Sequence, residues 1–154
     1  MIQNKGYTGN MPATAPATES AARLNAVGLR STAPRRAVLE ALQPGGHLDA
    51  SELYDRLKDD LPGTSLQAIY GVLTALVEAN LVRRVTPAGG SARYEARVGD
   101  NHHHLLCRSC GRLEDVPCAV GAAPCLTPSE DHGFQIEAAE VTFHGLCSDC
   151  VPVD

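Results

Sequence analysis

The sequence predicts an α+β protein of two small domains, divided near residue 97. Three observations support this class. Amphipathic stretches with helix start signals fill the first part of the chain, two extended segments around a glycine-rich tip follow them, and two Cys-x-x-Cys pairs lie in the last third. With 154 residues in total, each domain is near the lower size limit for an adequate apolar core. We therefore expect metal or a partner chain to support the fold.

Residues 1–18 are rich in Ala, Thr and Pro and are predicted to form a disordered arm. Four amphipathic helices are predicted after it, in the segments AARLNAVGL from Ala21, PRRAVLEAL after Thr32, SELYDRLKDDL after Asp49 and SLQAIYGVLTALVEANLV after Thr64. Asp49 with Glu52, and Thr64 with Gln67, have the spacing of capping boxes. In the fourth and longest helix the apolar residues that share one face are Ile69, Val72, Leu73, Leu76 and Val77.

A hairpin is predicted after the helices, because LVRRVTP and ARYEARV flank the tip AGGS. Three helices, a fourth after a tight turn, and a hairpin compose a winged helix-turn-helix over residues 19–97. Such a domain binds DNA by offering the first residues of its last helix to base edges in the major groove. The outward side chains there are Ser65, Gln67, Ala68, Tyr70 and Gly71. The alternative is that Tyr70 merely packs inside the domain and the arginines form a solvated face. Small helical domains with hairpins also serve protein contacts.

Charge is distributed unevenly along the chain. The net charge is −5, yet residues 19–97 carry ten Arg and Lys against nine Asp and Glu, while residues 98–154 carry two Arg against nine acids. The first domain can still present a basic face to DNA phosphates from Arg30, Arg35, Arg36, Arg83, Arg84, Arg93 and Arg97. The second domain favours cations. No segment has the pattern of a signal peptide or a membrane span, so we expect the chain in the cytoplasm, where thiols stay reduced.

The strongest signal from spacing alone is a pair of zinc knuckles. Cys107-x-x-Cys110 and Cys147-x-x-Cys150 offer four thiolates, which close a tetrahedral Zn²⁺ site. We expect this zinc to be structural, with no open coordination position. It would tie the predicted strands in GRLEDVP and FQIEAAEVTFHG into a small sheet. The alternatives are unrelated buried cysteines or a redox pair.

The run of three histidines at residues 102–104 raises the question of a second metal site. In an extended segment alternate side chains share a face, so His102 and His104 point together and His103 points away. Their candidate partners are His47 from the first domain and the carboxylates of Glu95, Asp100, Glu114 and Asp115. A mixed histidine and carboxylate set suits Fe²⁺, Mn²⁺, Co²⁺, Ni²⁺ or Zn²⁺. The alternative is a solvated histidine tract that binds metal only adventitiously.

Two other cysteines, Cys118 and Cys125, lie in the segment CAVGAAPC, whose spacing is poor for a zinc knuckle. They could form a disulfide under oxidative stress, but we favour the interpretation that they are ordinary small apolar residues. A metal-dependent hydrolase is disfavoured as a function. The chain has no obvious nucleophile, and five protein ligands leave little room for a substrate water.

Taken together, these residues resemble the ferric uptake regulator superfamily of metal-dependent bacterial repressors. The motifs that carry the resemblance, between about Leu24 and Cys150, are LRSTAPRRAVLEAL, HLDASELYDRL, TSLQAIYGVLTALVEANLV, RYEARVGDNHHHLLCRSCG and GLCSDC. RVGDNHHHLLCRSCG with CAVGAAPCL is most similar to the actinobacterial redox-responsive branch, whose members are associated with catalase-peroxidase genes. The resemblance implies a homodimer on palindromic operator DNA, with an N-terminal winged helix over residues 19–97 and an α/β dimerisation domain over residues 98–154.

The resemblance also implies roles for particular residues. It assigns a regulatory site for Fe²⁺ or Mn²⁺ between the domains to His47, Glu95, His102, His104 and Asp115. It assigns the structural zinc to the four knuckle cysteines, Cys107, Cys110, Cys147 and Cys150. Tyr70 corresponds to a tyrosine of the recognition helix, and Arg35 to a basic residue at the start of the second helix. Ser65 and Gln67 complete the predicted DNA-binding set.

The chain departs from the family pattern at two places. Glu95 is the choice of the iron-sensing branch, whereas Asp115 is the choice of the peroxide-sensing branch. Ala138 and Ala139 stand where many members carry a histidine of a further metal site, so a third site is not expected. We expect the bound ion to hold the winged helices at the operator spacing, and peroxide to release DNA by oxidising a histidine ligand or thiols. The competing interpretation is a zinc- or nickel-responsive regulator of the same fold.

Overall fold

The computed structural model describes residues 16–42, 45–87, 90–99, 102–117, 130, 132–135 and 141–152. Its helices are α1 (Pro16–Ala26), α2 (Ala33–Ala41), α3 (Ala50–Leu57) and α4 (Leu66–Glu78), and its strands are β1 (Arg83–Val85), β2 (Arg93–Glu95), β3 (His102–Cys107), β4 (Leu113–Pro117) and β5 (Thr142–Gly145). Strands β1 and β2 form a two-stranded sheet, and the second sheet has the order β4-β3-β5. Helices followed by small sheets confirm the predicted α+β class.

Helix start signals account for most of the first domain. The capping box before α3 is present, because Glu52 N donates to Asp49 Oδ1 at 2.9 Å and Asp49 N donates to Glu52 Oε2 at 2.8 Å. Helix α1 begins at Pro16, so it takes in the last residues of the segment predicted to be an arm. It ends at Ala26, two residues before Gly28, whose φ of 76° breaks the helix.

The start of α4 corrects one prediction. Thr64 and Gln67 do not form a capping box; the N-cap is Ser65, whose side chain accepts a hydrogen bond from Ala68 N at 3.1 Å. The helix therefore begins one residue later than the Thr64 spacing indicated. Its apolar face is as predicted, since Ile69, Leu73 and Leu76 are buried and two valines, Val72 and Val77, pack against the same core.

The two domains differ in the size of their cores. The four helices and the hairpin share one cluster of buried apolar side chains, among them Leu24, Leu39 and Leu53 with no exposed surface. The second buried cluster among the described residues contains only Val85 from β1 with Leu106 and Leu113 from the second sheet. This small core agrees with the expectation that the second domain relies on other support.

The predicted hairpin and the predicted strands near the knuckles are present. Strand β1 pairs antiparallel with β2, β3 pairs antiparallel with β4, and β5 joins β3 in parallel. Among the described residues of the segment FQIEAAEVTFHG, residues 142–145 form a strand and residues 134, 135 and 141 do not; residues 136–140 lie outside the described part of the chain. No helix of the described chain is long and apolar enough to cross a membrane. Cys118 and Cys125 lie outside the described residues.

Candidate metal centres and DNA-binding face

The hairpin fixes the positions of His47 and Glu95 in the first domain. Leu48 pairs with Tyr94 through two backbone hydrogen bonds, of 3.2 and 2.9 Å, and this short bridge places the preceding His47 beside Glu95, the last residue of β2. Arg93 strengthens the arrangement, because its Nη1 donates to the His47 carbonyl at 3.0 Å and to Glu52 Oε2 at 3.2 Å. The capping box of α3 and the position of His47 are thus connected.

Strands β3 and β4 supply the remaining candidate ligands from the second domain. His104 lies directly opposite Asp115 in the antiparallel register, so the two side chains lie side by side on one face. His102 lies two residues earlier on β3 and shares that face. Both histidines are buried, with 4% and 3% of their surface exposed. These two domains meet at the side chains predicted to form the regulatory site.

We call His47, Glu95, His102, His104 and Asp115 the inter-domain cluster. The Nε2 atom of His47 lies 2.8 Å from Glu95 Oε2 and 2.9 Å from Asp115 Oδ1. His102 Nε2 is 3.2 Å and His104 Nε2 is 3.3 Å from Glu95 Oε2. One ligand atom from each of His47, Glu95, His104 and Asp115 lies within 4.8 Å of the others. His102 is not in that tightest set, although it contacts the same carboxylates.

The donor set of the cluster fits a divalent ion better than it fits hydrogen bonding alone. Three imidazole nitrogens converge on one carboxylate oxygen of Glu95, which has fewer lone pairs than that. Asp115 Oδ1 is buried and has no hydrogen-bond partner, despite lying 2.9 Å from His47 Nε2. Buried polar atoms without partners are rare and call for an explanation. An ion at the centre would accept electron pairs from every one of these atoms.

The electrostatics of the cluster keep Glu95 ionised. Burial raises the pKa of the Glu95 carboxyl, but hydrogen bonds from His104 and His47 outweigh this and hold the pKa well below its usual range. A carboxylate that stays charged although its side chain is 1% exposed is a strong ligand for a divalent cation.

Other candidates from the sequence lie away from this cluster. His103 points to the opposite face of the sheet, where its ring meets Phe143 edge-to-face at 6.2 Å between centroids. It is nevertheless buried, which the alternation argument did not anticipate. Glu114 is exposed and forms an ion pair with Arg112. Asp100 lies outside the described residues.

We call Cys107, Cys110, Cys147 and Cys150 the thiol cluster. One sulfur from each lies within 4.8 Å of the others, and Cys147 N donates to Cys107 Sγ at 3.3 Å. The backbone N–H groups of Cys110 and Cys147 lower the pKa of the Cys107 thiol to about 6. A hydrogen bond from Ser109 lowers the pKa of Cys150, but the neighbouring sulfurs of Cys147 and Cys110 outweigh it and raise that pKa to about 12. Four sulfurs so close together fit a tetrahedral Zn²⁺ ion, which would balance their charge.

The predicted DNA-binding residues lie at the start of α4 and of α2. Ser65, Gln67 and Tyr70 are exposed, and Tyr70 retains 45% of its surface. The alternative that Tyr70 packs inside the domain is therefore wrong. Arg35 is half-buried at the start of α2, where its Nη1 donates to the Arg30 carbonyl at 3.0 Å.

Sequence reasoning did not predict that two arginines would lie at the inter-domain cluster. It assigned both of them only to a basic face toward DNA. Arg83 lies opposite Glu95 in the hairpin and is 3.8 Å from its Oε1, while Arg97 Nη1 is 3.4 Å from Asp115 Oδ2. The hairpin register gives a signal for the first pair, because a charge directly across a strand pair is a neighbour. No sequence pattern indicated the second pair, which joins separate domains.

A winged helix joined to a small sheet, with a buried histidine and carboxylate cluster where they meet and a four-cysteine cluster beyond it, defines a metal-binding transcriptional regulator. Residues 26–144 match the model of the ferric uptake regulator family, and the chain belongs to this family. The predicted resemblance is thereby confirmed. Regulators of this family are DNA-binding dimers.

Named relatives match most of the chain. It is 53% identical over 130 residues to the transcriptional regulator FurA of Mycobacterium tuberculosis. The match covers 84% of this chain and 88% of FurA. It is 51% identical over 120 residues to ferric uptake regulation protein 1 of Mycolicibacterium fortuitum, with 78% and 74% covered. The crystal structure of the Vibrio cholerae ferric uptake regulator superposes with a TM-score of 0.62 at 27% identity and covers 82% and 98%. These relatives are regulators, which confirms that the chain is not an enzyme.

Proposed function

We propose that this chain is a metal-dependent, redox-responsive repressor that binds palindromic operator DNA as a homodimer in the cytoplasm when Fe²⁺ or Mn²⁺ occupies the inter-domain cluster. The observation that carries the proposal is the composition of that cluster. His47 and Glu95 come from the DNA-binding domain, while His102, His104 and Asp115 come from the second sheet. An ion bound there would therefore be coordinated by both domains, and its affinity would depend on how the two domains are arranged.

The residues of the cluster act by holding one arrangement of the domains. With an ion bound, His47 and Asp115 would be held together, and the segment after Glu95 would no longer serve as a hinge. The start of α4, which carries Gln67 and Tyr70, is then fixed relative to the second domain. Binding to only one arrangement shifts the population toward it, so an ion that prefers the closed cluster raises operator affinity.

The second sheet supports the proposed homodimer. Leu105, Phe143 and Leu146 are apolar side chains with about two-fifths of their surface exposed. With their neighbours they line a groove of about 310 Å³ on the face of β3 and β5. A contiguous apolar surface of this kind is typical of an interface, and a second copy of the chain would cover it. Two winged helices related by a two-fold axis match a palindromic operator.

For the ion we propose Zn²⁺ in the thiol cluster and Fe²⁺ or Mn²⁺ in the inter-domain cluster. Thiolates favour zinc, whereas imidazole and carboxylate ligands accept the harder divalent ions. Fe²⁺, when bound, would activate peroxide so that it oxidises nearby side chains. The chain contributes His47, His102 and His104 as the groups nearest to that oxidation. On the basis of the resemblance, we propose catalase-peroxidase or iron-homeostasis genes as the targets.

The redox part is tested by peptide mass mapping after peroxide treatment of the Fe²⁺-loaded protein. Addition of one oxygen to His47, His102 or His104 is the expected result, and the Mn²⁺-loaded protein is the control. A disulfide between Cys118 and Cys125 instead would place sensing at thiols. If neither product forms, the chain would be a regulator of iron status without a redox response.

The whole proposal is tested by metal analysis of anaerobically purified protein together with an operator gel shift. We expect one zinc per chain that resists mild chelation, and retarded operator DNA only when Mn²⁺ or Fe²⁺ is added. Retardation that requires Zn²⁺ or Ni²⁺ would support the alternative regulator of the same fold. Retardation that is the same with and without any added ion would contradict the proposal.

A further inference from the structure

We propose that Arg83 and Arg97 set the coordination mode and the strength of ion binding at the inter-domain cluster. Each arginine places a positive charge beside one carboxylate, and Arg97 also contacts the outer oxygen of Asp115, so that Asp115 offers a single inner oxygen to the ion. This inference rests on the proposed function, because it requires that the cluster binds a divalent ion.

The two oxygens of Glu95 have different neighbours. Oε2 lies at the centre of the cluster, 2.8 Å from His47 Nε2 and 3.3 Å from His104 Nε2. Oε1 lies 3.2 Å from His102 Nε2 and 3.8 Å from Arg83 Nε. Arg83 is held in place because it pairs directly with Glu95 across the β1–β2 hairpin. The wing of the DNA-binding domain thus contributes a fixed cation to the outer side of this carboxylate.

The two oxygens of Asp115 are divided between the cluster and an arginine. Oδ1 lies 2.9 Å from His47 Nε2 on the inner side, while Oδ2 lies 3.4 Å from Arg97 Nη1. Arg97 follows β2 in the segment that joins the domains, and 40% of its side chain is exposed, against 11% for Asp115. Glu95 Oε1 therefore faces both His102 and a guanidinium, whereas Asp115 has one oxygen facing the cluster and one oxygen facing a guanidinium.

This division has two consequences for a bound ion. A carboxylate can bind a cation through one oxygen or two, and a guanidinium on the second oxygen favours binding through one. Arginine stays protonated at every physiological pH, so two fixed positive charges also oppose the entry of a dication. The cluster would bind its ion less tightly than five protein ligands alone allow. Reversible loading is what a regulator needs if it is to follow the ion concentration.

The test uses the full chain with zinc in the thiol cluster, and Mn²⁺ as the probe because it has little affinity for thiolates. Arg83→Gln and Arg97→Gln remove the charge but keep an N–H donor, and Arg97→Lys keeps the charge without the planar fork. We expect each glutamine variant to bind Mn²⁺ about tenfold more tightly by titration calorimetry, the size of effects typical of groups that contact metal ligands. We expect the lysine variant to bind as the wild type does.

Arg84→Gln is the matched control for the charge. Arg84 is exposed and lies next to Arg83 on β1, where it points to the opposite face of the hairpin. Its removal changes the net charge by the same amount, but the charge lies in solvent, where salt screens it. We expect its Mn²⁺ affinity to stay within about twofold of the wild type, in keeping with such screening.

Visible absorption with Co²⁺ in the cluster gives a second readout, of coordination number. An outer oxygen released by Arg97→Gln can become an additional ligand, which weakens the d–d bands. Arg97→Lys keeps a cation beside the outer oxygen and is expected to leave the bands as in the wild type. Far-ultraviolet circular dichroism and zinc content establish folding for each variant.

The outcomes separate this inference from the function on which it rests. Mn²⁺ binding by the wild type with unchanged or weaker binding in both glutamine variants would overturn the role of the arginines alone. An equal gain in Arg84→Gln would also overturn it, because the effect would then be one of net charge. A wild-type chain that binds no Mn²⁺ would overturn the proposed function, and this inference with it.

Discussion

At the scale of single residues, the inter-domain cluster depends on Glu95 more than on any other ligand. Its carboxylate is the one group that all three histidines approach within 3.3 Å, and it lies at the end of the hairpin that also carries Arg83. Because the hydrogen bonds outweigh burial, Glu95 remains charged in the folded chain. A carboxylate that stays ionised among three imidazoles offers a cation a charged ligand beside neutral ones, so the site favours occupation by a divalent ion.

Substitution of Glu95 or His102 should separate the two metal sites. We expect Glu95→Ala and His102→Ala to retain zinc but to lose Mn²⁺-dependent operator binding, because each removes a ligand of the inter-domain cluster only. Mn²⁺ affinity should fall by more than about 100-fold, the upper limit for changes outside the ligand set. Zinc content and titration calorimetry measure the two effects, and His132→Ala is the control, since His132 is exposed. Loss of zinc in either variant would mean that the two sites are not independent.

The thiol of Cys107 should give zinc uptake a distinct pH dependence. The pKa of this thiol is lowered from 9.0 to about 6. The thiolate therefore stabilises the folded chain fully at a pH above 9.0, and this contribution is lost as the pH falls through about 6. Zinc uptake displaces thiol protons. As the pH rises from 5 to 7, the Cys107 thiol loses its proton before zinc binds. We therefore expect zinc uptake to release about one proton fewer at pH 7 than at pH 5.

Calorimetry of the reduced, metal-free chain in buffers of different ionisation enthalpy counts these protons. The decrease should persist in Ser148→Ala, which alters a non-ligand residue of the other knuckle. A count that does not change across this pH range in the wild type would show that the backbone N–H groups do not act on Cys107 as described.

At the scale of elements, the sequence predicted what depends on local signals. The capping box at Asp49, the apolar face of α4 and the hairpin were all predicted, because short-range spacing determines them. The start of α4 was misplaced by one residue because Thr64 and Ser65 are both good caps, and tertiary packing decides between them. The contact of Arg97 with Asp115 depends on how two domains meet, which no local pattern encodes.

The recognition helix yields a prediction at this scale. Tyr70 is exposed on α4 and contributes little to the core, so Tyr70→Ala should leave folding and Mn²⁺ affinity unchanged. Its loss should weaken operator binding by about tenfold or more, the effect expected for a side chain that contacts DNA bases. Glu78→Gln, at the exposed far end of the same helix, is the control in the gel shift. Equal operator affinity in Tyr70→Ala and the control would remove Tyr70 from the proposed interface.

At the scale of the whole molecule, the unequal cores explain why the second domain carries the thiol cluster. The first domain buries a large apolar cluster, whereas the described part of the second contributes only Leu106 and Leu113 to a core shared with Val85. Domains this small need metal or oligomerisation to stay folded. The thiol cluster joins the end of β3 to the turn after β5, and so it fixes the order of the sheet.

The zinc and the proposed dimer should therefore be lost together. We expect Cys110→Ser to lose zinc, because three thiolates hold the ion far less well than four, and the free energy of zinc binding is part of the folding free energy of this domain. With β5 no longer fixed, Phe143 and Leu146 cannot hold the apolar face that a second copy would cover. Sedimentation equilibrium should show a monomer, while Ser148→Ala, also in the knuckle region, remains a dimer with one zinc per chain. A stable dimer of Cys110→Ser without zinc would show that the apolar face alone organises the sheet, and the role of the thiol cluster would have to be sought elsewhere.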